Sequence, residues 1–136
     1  MKEIIRAKNS GFCFGVRQAL EKTEEQIAAN KSEKRIFTCG QLIHNKFVTD
    51  ALKNQGVEII NKPREAKKGD IVIVRSHGET KKFFEEAEDI GLEVVDATCP
   101  FVKKIHNLVY EGKNRGEKII IIGDKTHPEV IGINGW

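Results

Sequence analysis

Two thiols and three imidazoles in this sequence each come shortly after a run of β-branched residues. Cys13 follows EIIRAKNSGF, His44 follows RIFTCGQLI, His77 follows DIVIVRS, Cys99 follows LEVVDAT and His127 follows KIIIIGDKT. If each run is a strand, all five side chains lie just beyond a carboxyl end. Open parallel α/β sheets bind their ligands in the crevice at that edge. Thiolates select soft metals, and imidazoles suit metals or anionic oxygens. The spacing therefore predicts a site for a metal and an anion rather than scattered core residues.

The two cysteines share a setting. Cys13 sits in Gly11-Phe12-Cys13-Phe14-Gly15, at a predicted strand-to-helix turn whose glycines let the backbone approach a bulky inorganic group. Cys99 sits in Asp96-Ala97-Thr98-Cys99-Pro100, with Thr98 as predicted N-cap and the proline in the first turn. The amide-rich start of a helix stabilises a thiolate, the form that ligates metal. Against this stands the ordinary fate of a free cysteine, which is burial as a small hydrophobe. That ordinary fate is assigned to Cys39, which ends a strand without a helix start directly after it. None of the three cysteines belongs to a CxxC pair, and the closely spaced ferredoxin run is missing too. A metal held by Cys13 and Cys99 must be assembled by the tertiary fold.

His44, His77 and His127 each fall near a turn or helix start, where backbone N–H groups already favour an anion. A diphosphate beside them would favour their cationic form. A lone histidine is more often a capping or surface residue, and three in one topological slot reverse that preference. His106, in Lys103-Lys104-Ile105-His106, is read as a surface position. Glu129, two residues after His127, suits proton delivery, although an acidic residue in a first helical turn also complements the dipole. Lys125 and Arg17 receive no role.

These residues need a framework. Val16, Ala19, Leu20, Thr23 and Ile27 recur at helical spacing, with Asn30 as a stop. A strand at 35–38 precedes a helix carrying Phe47, Val48, Ala51 and Leu52, closed by Gly56. Strands follow at 57–60 and 70–75, then a helix with Phe83, Phe84, Ala87 and Ile90 that Gly91 ends. A strand at 92–96 leads to a helix whose predicted buried face is Phe101, Val102, Ile105, Leu108 and Val109. A last strand at 118–123 precedes a helix opening at His127-Pro128-Glu129. Strands alternating with helices imply βαβ crossovers, so the fold class is α/β, a mainly parallel sheet flanked by helices. Residues 1–97 form the first α/β module and 98–136 the opening half of a second, truncated one.

Composition narrows the field further. At 136 residues, 39% hydrophobic and 32% charged, the chain suits a globular protein of about one domain. A net charge of +3, evenly spread, does not suggest a nucleic-acid partner. The longest apolar run, Ile119 to Ile122, is far short of a membrane span, and the start lacks the apolar core of a leader peptide. A cytoplasmic location, where thiols stay reduced, is expected.

The combination GFCFGV, LIHN, RSHG, DATCP and HPEVIG resembles the hydroxymethylbutenyl diphosphate reductase (LytB-like) family, in order and spacing, over nearly the whole chain. LIHN and RSHG are weak alone, whereas DATCP with HPEV and GFCxGV is specific. The family reductively removes an allylic hydroxyl from (E)-4-hydroxy-3-methylbut-2-enyl diphosphate, giving isopentenyl and dimethylallyl diphosphates by the non-mevalonate route. The resemblance implies a 4Fe–4S cluster held by three cysteines, of which Cys13 and Cys99 match two. It implies diphosphate binding by His44, His77 and His127, a catalytic part for His127 and Glu129, and a small ferredoxin or flavodoxin as electron donor. It also implies three similar modules, so the third ligand is expected beyond Trp136 and this polypeptide alone is expected to be inactive. An inactive anion-binding or interaction module, or a mononuclear zinc hydrolase, are the competing readings. Fold class alone separates none of them.

Overall fold

The computed structural model describes residues 3–31 and 33–136. The predicted absence of a leader peptide rests partly on Met1 and Lys2, which lie outside those residues. Four strands form one sheet: β1 (Ile36–Cys39), β2 (Val57–Ile60), β3 (Ile71–Val74) and β4 (Glu93–Asp96). Their spatial order is β2-β1-β3-β4, and every neighbouring pair is parallel. Five α-helices accompany them among the described residues, with one short 3-10 turn at Pro63–Glu65: α1 (Phe14–Ala29), α2 (Lys46–Asn54), α3 (Lys81–Ile90), α4 (Pro100–Asn114) and α5 (Pro128–Asn134).

Side chains alternate across a strand, and here both faces are apolar, as a sheet covered on two sides requires. Ile36, Ile71 and Ile73 pack with Ala19 of α1 and Leu52 of α2 on one face. Phe37, Val72 and Val74 pack with Phe83 and Ala87 of α3 on the other. Helix α2 covers one face as the chain steps outward from β1 to β2. Helix α3 covers the opposite face as it steps the other way from β3 to β4. Right-handed crossovers demand that switch of faces. Gly91 closes α3 in the left-handed region at φ 79°, where a side chain would be strained.

The inner strands and the helices follow the expectation closely, but two of the predicted strands do not form. The residues before Cys13 and those at 118–123 join no ladder among the described residues. Ile4 is 96% exposed and Ile122 95% exposed, so neither run packs on the core. A β-branched run becomes a strand only where a neighbouring edge receives its N–H and C=O groups, and local pattern does not supply that edge. Helix α4 also turns a different face inward. Val102 and His106 are buried while Phe101, Ile105 and Leu108 are exposed. His106 is therefore a core residue, 3% exposed, and not a surface one.

Candidate functional site

The strand order reverses between β1 and β3, so a crevice opens there at the carboxyl edge. His44 lies just past β1 and His77 just past β3. Their rings sit 4.7 Å apart, centroid to centroid. His127 joins them from the start of α5, 5.8 Å from His77 and 6.4 Å from His44. The three imidazoles named from sequence thus converge on one point.

Backbone bonds stitch the loops that carry them. The Ser76 N–H donates to Leu42 O at 3.4 Å, and the Cys99 N–H donates to Ser76 O at 2.9 Å. The loops after β1, β3 and β4 therefore lie side by side. Asn45 caps α2 by accepting the Val48 N–H at 3.2 Å, which fixes the exit of the His44 loop. Asp96 does the equivalent after β4. Its carboxylate accepts the Thr98 N–H at 3.0 Å and an ammonium proton from Lys103. Partial burial would raise the Asp96 pKa, but these bonds outweigh it and hold the carboxyl below its ordinary value.

Cys13 and Cys99 are the N-cap residues of α1 and α4, so the cap falls one residue later than the predicted Thr98. Neither side chain caps its helix, which leaves both thiols free to bind something else. The two helix starts also meet. A Cβ built on Gly15, two residues after Cys13, would lie 2.5 Å from Cys99 Sγ. Only glycine allows α1 to approach that thiol so closely. Among the described residues, no three His, Cys, Asp or Glu side chains meet at metal-ligand geometry.

The histidines differ in setting. His77 is pushed down to about 4, first by burial and then by the charges of His44, Arg75 and His127. It is neutral near pH 7 in the free protein; the cationic form is the expectation with a diphosphate beside it. His127 is the N-cap of α5, and its Nδ1 accepts the Glu129 N–H at 3.2 Å. That bond puts the ring's proton on Nε2 and makes Nε2 a donor. Glu129 is half-buried in the first turn of α5, and its backbone N–H is the group that ties it to the His127 ring.

Sequence reading missed the supports beneath this edge. The His106 ring stacks on Trp136 at 5.3 Å and packs against Gly78, where an added Cβ would fall 2.5 Å from its Cε1. Burial lowers its pKa first, Lys103 lowers it further and Asp96 opposes. The spacing of Val102 and His106, one turn apart on α4, was the available signal. Cys39 is buried as predicted, and its thiol donates to Glu79 Oε1 at 3.3 Å. Burial, then the Glu79 charge, pushes that thiol far above its ordinary range.

An open, doubly covered parallel sheet with imidazoles at its switch point and thiols on adjoining helix starts defines an α/β protein with a composite ligand edge. The particular family follows from comparison. The model of the LytB protein family matches residues 4–136, and the chain belongs to that family. It is 48% identical over 136 residues to a 4-hydroxy-3-methylbut-2-enyl diphosphate reductase of Caldanaerobacter subterraneus, covering 98% of this chain and 47% of the relative. A reductase of the same name from Clostridioides difficile is 45% identical over 130 residues, covering 96% of this chain and 46% of the relative. A solved (E)-4-hydroxy-3-methyl-but-2-enyl diphosphate reductase, called the terminal enzyme of the non-mevalonate pathway, superposes with a TM-score of 0.82 at 42% identity, over 99% of this chain and 47% of that one. The E-1-hydroxy-2-methyl-but-2-enyl-4-diphosphate reductase from Plasmodium falciparum gives 0.88 at 34% identity, over 94% and 40%. The chain thus spans about half the length of the relatives it matches.

Proposed function

We propose that this chain is the N-terminal part of a 4-hydroxy-3-methylbut-2-enyl diphosphate reductase, working in the cytoplasm. One observation carries the reading: His44, His77 and His127 converge at the switch point, beside the loop that bears Cys99. The names of its relatives point the same way, and they favour an enzyme over an inactive binding module.

The thiols fit a share of a 4Fe–4S cluster. Cys13 and Cys99 are free, uncapped and set on helix starts that touch through Gly15. Bound there, the cluster supplies electrons from a ferredoxin- or flavodoxin-type donor and an iron able to act as a Lewis acid. The rest of the work falls to this chain's own residues. The three imidazoles bind the diphosphate tail and orient the reacting carbon, which turns an encounter into a positioned step. The His127 Nε2–H donates toward the substrate. The Glu129 carboxyl delivers a proton to the allylic hydroxyl oxygen, which departs as water. Two electrons and a second proton complete the product, so the C–O bond breaks and a C–H bond forms.

In this reading residues 1–97 are one module and 98–136 begin a second, in which the run at 118–123, no strand in this structure, would pair only against the remainder of that module. A chimera tests the assignment. Residues 1–136 are joined to the complementary portion of the Caldanaerobacter reductase, reconstituted anaerobically with iron and sulfide, and assayed for substrate consumption. Activity that Glu129→Gln abolishes is expected. A chimera that binds the cluster yet leaves the substrate untouched contradicts the reading.

A further inference from the structure

The loop Arg75-Ser76-His77-Gly78-Glu79 carries His77 at its apex, and its two ends are joined. The Arg75 guanidinium meets the Glu79 carboxylate at 2.7 Å, both side chains largely buried. The same carboxylate accepts the Cys39 thiol from the end of β1. The Glu79 carbonyl accepts the Trp136 indole N–H at 3.0 Å, just past α5. One residue thus ties together the ends of the three elements that deliver His44, His77 and His127. Two glycines make the arrangement possible. Gly78 turns at φ 77° between His77 and Glu79. A Cβ on Gly40 would lie 2.7 Å from Arg75 Nη1, so the guanidinium occupies space a larger residue would fill.

A buried ion pair is an uncertain source of stability, because desolvation offsets much of the attraction. Specifying one geometry is its better-supported use, and charge-assisted bonds are directional enough for it. We infer that Glu79 is a positioning residue: with Arg75 and Cys39 it closes the loop and holds the His77 ring against His44. Its relevance to ligand binding rests on the diphosphate reading of the three imidazoles.

The test uses the whole chain with labelled histidines. In the wild type, ring-to-ring magnetisation transfer between His44 and His77 reports their 4.7 Å approach. Glu79→Gln keeps the side chain's size and removes its charge. The expected result is loss of that transfer, with inorganic diphosphate bound about tenfold more weakly, near the lower end of what one hydrogen bond to a charged group is worth. Ile71→Ala, a core change at the amino end of β3, away from the loop, should lower stability and leave the transfer intact. If Glu79→Gln does not fold, Glu79→Asp decides, because it keeps the charge and shortens the reach by one methylene. A weakened transfer then supports the inference. Transfer undiminished in a folded Glu79 variant overturns it, as does equal loss in Ile71→Ala. Diphosphate failing to bind the wild type, with the transfer still dependent on Glu79, would instead count against the ligand reading alone.

Discussion

The imidazole half of this edge and the thiol half are built to different degrees of closure. Three rings lie within 6.4 Å of one another, held by capped helices, stitched loops and a buried ion pair. The two thiols stand on helix starts in contact through Gly15, with no third protein ligand beside them among the described residues. The contrast teaches that one fold can present a preorganised cluster of imidazoles next to a pair of thiols whose surroundings are far less fixed, the proposed anion and metal sides of the edge. The sheet register sets the first, because β1 and β3 are paired along their full length. The second depends on where two helices begin.

Substitution at the thiols should separate the halves most sharply. In the reconstituted chimera, Cys13→Ser or Cys99→Ser is expected to abolish iron and labile sulfide content, measured by chemical analysis. Diphosphate affinity should stay within about twofold, since separate sites are nearly additive. Acidification acts on the other half. The folded His77 titrates near 4 and its unfolded form near 6.5, so the unfolded chain takes up the proton first. Stability contributed by the neutral ring is complete above about pH 6.5 and is lost as pH falls to about 4, by up to about 3 kcal/mol. Denaturant melts across that range measure it, and His77→Gln should flatten the dependence.

His77→Ala is expected to weaken inorganic diphosphate binding by about 1.5–3 kcal/mol, the worth of a hydrogen bond to a charged group. Calorimetry reads the affinity, and the alkylation rates of Cys13 and Cys99 should not change. Gly15→Ala probes the seam between the halves. The added methyl collides with Cys99 Sγ, and overpacking of this kind costs about 1–3 kcal/mol. The expected readout is a lower melting temperature with diphosphate affinity retained; a loss of affinity as large as that of His77→Ala would dissolve the distinction.

Much of this arrangement is legible from residues in order. Ile71–Val74 could be assigned to the interior because a four-residue β-branched run bounded by Asp70 and Arg75 suits a strand buried on both faces. His44, His77 and His127 could be grouped because strand ends of a parallel sheet share one edge. The run at 118–123 carries the same local signal as β3, yet it stays unpaired, because pairing depends on an edge that local pattern cannot show. His106 misled through its lysine neighbours, since the α4 stripe turns on which side faces Gly78 and Trp136. The Glu79 latch was hidden for a similar reason. An Arg and a Glu four residues apart are usually a solvated pair, and only the fold brings Cys39 and Trp136 onto the same residue.

The central claim is that three imidazoles act together on one anion. Titrating the histidine-labelled chain with inorganic diphosphate and following the ring resonances of its four histidines tests it directly. The account predicts that His44, His77 and His127 shift together with a single affinity while His106, buried under the loop, holds still. Shifts confined to one ring, or none at any of the three, would contradict it.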